Sequence, residues 1–141
     1  MKHQQSPEDA AFVRAFESGE VLPADFNHAA HVRLAYTCLC GNDIDGAIST
    51  MKTALLAFLN RNGISENKYH DTLTGAWVMA VDHFMKTRAP TESAAAFMRA
   101  NPELLDSKIM LTHYSAEVLF SAEARVSFVA PDIQPIPPPN G

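Results

Sequence analysis

Three histidines carry most of the chemistry this sequence offers: His28, His31 and His70. Asn27 reads as a helix cap, so His28 and His31, spaced i, i+3, share one face with Cβ atoms about 5–6 Å apart. His70 falls in the first turns of a later helix. Helix N-termini carry partial positive charge, which favours neutral imidazole, the metal-binding form. Three such rings would suit Zn²⁺, Fe²⁺, Ni²⁺ or Cu²⁺, with an open position for water or substrate. The same rings would equally line a metal-free polar pocket, or serve only as structural hydrogen-bonding groups. Asp25, just ahead of the histidine pair, is the candidate fourth ligand, or an acceptor behind the ligands. Thr74 and Trp77 follow His70 on its own face and, with Tyr114, are the expected lining of the pocket. The plainer reading of Thr74 is a hydroxyl bonded back to the His70 carbonyl.

The remaining polar residues read as structure. His83 lies off the stripe of its helix and reads as solvent-facing, His113 as a boundary residue, and His3 as part of a frayed terminus. Arg33 reads as a solvated or ion-paired position. Arg125 reads as a clamp on its own last-turn carbonyls or on Asp132. Cys38 and Cys40 would point to different sides of a helix, which argues for a reduced pair. No G-x-S-x-G, phosphate-cradling glycine loop, H-E-x-x-H or C-x-x-C occurs.

Helices must position these groups. Ser6-Pro7-Glu8-Asp9 is a cap, a first-turn proline and two acids, opening a helix that Gly19 closes. A second helix runs from Asn27 to Gly41. A third follows Asn42-Asp43, with its stripe through Ile44, Ile48, Met51, Leu55 and Phe58, and ends at Gly63. Ser65 with Glu66 opens a fourth, carrying His70, Leu73, Trp77, Val81 and Phe84. Thr91 caps a fifth, Asn101-Pro102 begins a sixth around Leu104 to Leu111, and Ser115 opens a last one to about Arg125. Val126 to Val129 could be extended. From Pro131 the chain should run as a polyproline II strap, with Ile133 and Ile136 on one face.

The expected fold is therefore all-α: an up-down bundle of four main helices in one domain (1–130), with short C-terminal helices and an extended proline-rich tail (131–141). In such a bundle the second and fourth helices start at the same end, which would gather the three histidines there.

Several segments together resemble a family of small, uncharacterised bacterial helical proteins: Phe26-x-His28-x-x-His31-x-Arg33-Leu34-Ala35, then Tyr69-His70-x-Thr72-x-Thr74-x-x-Trp77, then Ala124-Arg125-x-x-Phe128-Val129-x-Pro131-Asp132. Proteins of this kind also occur on mobile elements such as integron cassettes. The resemblance implies the helical fold and marks the same three histidines. It brings no activity with it.

Composition sets the outer bounds. Of the 141 residues, 47% are hydrophobic and 19% charged, which suits a folded domain. The net charge of −5 argues against nucleic acid. The longest apolar runs, such as Ala54 to Leu59, fall far short of the ~20 residues a membrane span needs. No signal peptide is read at the start, so the cytoplasm is the expected compartment. Two functional readings follow. One is a metal- or small-ligand-binding protein built on His28, His31 and His70; were it an enzyme, metal-bound water would be the first nucleophile or base to test. The other is a non-catalytic assembly module with structural histidines. In that case Met79, Met85, Met98 and Ala94 to Ala96 would mediate homodimerisation.

Overall fold

A computed structural model describes residues 3–136. Those residues are helical with no strand, in the order α1 (Pro7–Glu17), α2 (His28–Gly41), α3 (Ile44–Arg61), α4 (Asp71–Thr87), α5 (Ala94–Ala100), α6 (Ala116–Leu119) and α7 (Ala122–Val126), with short 3₁₀ segments between. Most starts are set by a side chain that satisfies a first-turn amide. Ser6 and Asp9 bond reciprocally at 3.0 and 2.9 Å, a capping box with aspartate in place of the usual glutamate. Asn27 accepts from the Ala30 amide, and Asp43 from that of Gly46. Gly19 and Gly63 hold positive φ where α1 and α3 end.

Three helices, α2, α3 and α4, each pack on the other two; α1 lies on α2 and α3, α5 on α2, and α7 on α4. Val32, Ala35 and Tyr36 from α2, Met51 from α3 and Val78 and Val81 from α4 are completely buried between them. Phe16, Phe26 and Phe58 form an aromatic cluster with ring centroids 4.8 to 5.4 Å apart.

One buried carboxylate ties three helices together. Asp9, besides capping α1, receives the Arg33 guanidinium of α2 at 3.0 Å and the Ala94 amide at the start of α5 at 2.9 Å. Burial alone would raise its pKa; the Ser6 and Ala94 amides and Arg33 outweigh that and lower it. Arg33 is thus ion-paired, with its guanidinium also 4.8 Å over the Phe12 ring.

Several sequence expectations change. Ser65 opens only a 3₁₀ turn over Glu66–Lys68, and α4 begins at Asp71. The predicted sixth helix is two 3₁₀ segments broken at Asp106, whose carboxylate caps the second. The last helix divides at Ser121, which caps α7. His3 is docked rather than frayed: its Nε2–H donates to the Met85 carbonyl and its Nδ1 accepts from Thr91. His83 is half-buried rather than solvent-facing, with Nδ1 sealed and without a hydrogen-bond partner. Arg125 donates to the Asn67 carbonyl, while Asp132 accepts the Ser115 amide instead. The cysteines are free, and burial pushes both thiols up to about 11, which keeps them protonated and unreactive.

The chain after α7 is stitched across α4. The buried Thr72 hydroxyl donates to the Ser127 carbonyl and accepts the Val129 amide, both at 3.0 Å. Phe128 lies so close to Gly75 that a Cβ there would come within 2.9 Å of its ring. Tyr114 donates to the Val129 carbonyl at 2.6 Å, and His113 holds Ile133 and Gln134. Ile136 is buried in the core while Ile133 is 59% exposed, so the two do not share one docked face. Residues 137–141 of the expected strap lie outside the described residues. Thr72→Val should cost about 1–2 kcal/mol by stranding the Ser127 carbonyl and Val129 amide. Faster hydrogen exchange at Val129, with the α2 amides unchanged, is the observation that checks it.

Candidate functional site

The beginnings of α2 and α4 and the end of α3 meet around a cavity of about 260 Å³. Phe26, Leu55, Phe58, Leu59 and Leu73 make most of its wall, with Tyr69, His70, Thr74 and the exposed Lys68 completing it. A second cavity of about 310 Å³ adjoins it, lined by Asn27, His28, Trp77 and Ser107. Phe26, His31 and Leu73 border both, so the two cavities meet at these three side chains.

The three histidines differ sharply in what their nitrogens can do. His70 is the N-cap of α4: its Nδ1 accepts the Leu73 amide at 3.1 Å and its Nε2–H donates to the Leu119 carbonyl at 2.7 Å. Both nitrogens are spent on backbone, which fixes the tautomer and ties α4 to α6. Burial is the main cause of a lowered His70 pKa, with the Arg125 charge adding to it. His28 donates Nε2–H to the Leu104 carbonyl at 2.9 Å, leaving the Nδ1 lone pair of the neutral ring free. His31 has no hydrogen-bond partner among the described residues, and neither nitrogen is sealed from the cavities. Burial, then the neighbouring His28, pushes its pKa down to about 4. His31 is therefore a neutral imidazole with open donor and acceptor capacity, set in an apolar wall.

His28 and His31 lie nearly parallel with ring centroids 6.5 Å apart, and His28 meets Trp77 edge-on at 4.5 Å. Among the described residues, no three His, Cys, Asp or Glu side chains are placed to share a metal ion. Coordination by His70 would require it to release either the helix cap or the Leu119 carbonyl. Asp25 is exposed on a 3₁₀ turn.

Thr74 lines the first cavity and donates back to the His70 carbonyl at 3.0 Å, so its two readings hold together. Trp77 lines the second. Tyr114 is fully buried against the C-terminal segment and borders neither. Tyr69 and Phe26 stand in the first cavity without having been singled out by spacing. The Tyr69 hydroxyl, pushed up to about 12 mainly by burial, donates to Asp71 at 3.1 Å. Leu73 was legible as an apolar stripe position, but its place between two cavities was not. The methionines of the proposed dimer face, Met79, Met85 and Met98, are half-buried against the core, and Ala94 is fully buried.

No helix among the described residues is long and apolar enough to cross a membrane. Compared with protein-family models, with curated proteins and with solved structures, the chain matches none of them.

Proposed function

We propose that this protein binds a small, largely apolar molecule between the starts of α2 and α4 and the end of α3, with His31 bonding its polar group. The observation that carries the reading is a neutral imidazole with no hydrogen-bond partner among the described residues, in a mostly apolar wall. A ligand hydroxyl or carbonyl would bond it in place of water. At about 260 Å³ the first cavity exceeds the roughly 150 Å³ that accommodates benzene, so a single-ring ligand suits it.

The reading is metal-free, because it leaves the His70 cap and the Leu119 contact intact. It also favours binding over proton abstraction, since a ring that takes up its proton only near pH 4 is a weak base at neutrality. In this reading α1 to α4 act as an up-down bundle whose one end holds the ligand. Phenol at ten times its Kd should raise the Tm by about 5 °C. Leu73→Phe, which adds bulk where the two cavities meet, should abolish that rise. The reading fails if neither phenol nor toluene shifts the Tm of the unaltered protein.

A further inference from the structure

The second cavity adds a polar recognition end, and we infer that the ligand carries a neutral group with adjacent acceptor and donor atoms, as in a carboxamide or lactam. This inference rests on the binding site proposed above and names its ligand class. Trp77 is only 4% exposed, and buried indole N–H groups normally find an acceptor. None serves it among the described residues, yet the nitrogen is not among the sealed side-chain atoms that lack a hydrogen bond. Trp77 is one of the side chains that line this cavity. Beside it, 4.5 Å away between ring centroids, His28 is locked by the Leu104 carbonyl with its proton on Nε2. Its Nδ1 is then an acceptor. Two touching rings that line one cavity thus carry one donor and one acceptor, a pairing that C=O next to N–H would match.

Charged alternatives suit the site less well. A carboxylate would face the Nδ1 lone pair, and the side chains lining this cavity include no cation. An ammonium would face the indole N–H and His31, whose imidazole resists positive charge.

Benzamide, benzoate and toluene are the probes. The chain has a single tryptophan, so one indole N–H resonance reports directly on Trp77. Benzamide should bind about tenfold more tightly than toluene and move that resonance downfield, and Trp77→Phe should remove the advantage. His28→Phe, which also discards the acceptor, should do the same while toluene binding persists. If toluene matches benzamide with the indole signal unmoved, or benzoate binds most tightly, the inference is overturned and the apolar site survives. If none of the three binds, the site itself is overturned.

Discussion

Asp9→Ala should destabilise the protein by about 3–4 kcal/mol, a large part of the 5–15 kcal/mol that holds a typical domain together. The substitution removes one half of an ion pair whose carboxylate is 1% exposed, so Arg33 loses its partner. It also leaves the Ser6 and Ala94 amides without their acceptor. Arg33→Ala should cost about half as much, because Arg33 is 28% exposed and Asp9 would keep both amides. The folded-state pKa of Asp9 lies below its ordinary value of 3.8. Its contribution is therefore complete above that value and lost as the pH falls through the lowered one. Urea unfolding at pH 7 measures the effect, and a loss below about 1 kcal/mol for Asp9→Ala would show that the three helices do not depend on this residue.

The second large effect is a dependence of stability on pH set by His31. In the unfolded chain its imidazole titrates near 6.5, and in the folded protein near 4. Between those values the unfolded chain holds the proton and the folded protein does not. Stability is thus complete above pH 6.5 and declines as the pH falls toward 4, by about 3 kcal/mol for the 2.5-unit difference. His70 adds a slope of the same sign, since its pKa is also lowered. His31→Phe should remove the larger part and leave the His70 part. Equal loss of stability between pH 7.5 and pH 4 in both proteins would mean that His31 meets water rather than the apolar wall.

How far the sequence reaches depends on whether a contact is local. The Ser6, Asn27 and Asp43 caps were legible because each bonds an amide three residues on. The start of α4 was not, because its cap is the His70 imidazole, and a ring nitrogen in that role has no strong sequence signal. Spacing alone put His28 and His31 on one helix face and marked His70 beside them. It could not show that His70 would be held by Leu119, or His28 by Leu104, because those carbonyls arrive from 49 and 76 residues away. The same distance hid Asp9, which looks like an ordinary first-turn acid until Ala94, 85 residues later, comes to rest on it. His31 was set apart from its neighbours by what no other segment supplied.

The stitching of Thr72 to Val129 also orders events in time. The two residues are 57 apart, and a ribosome adds about 5–20 residues each second, so α4 waits roughly 3–11 s for the segment that covers it. Throughout that interval the groove at Gly75 lies bare, without the ring of Phe128 that later fills it. Newly made chains are thus most exposed to misassociation along α4, after the helices of the core have formed and before the last thread is drawn across them.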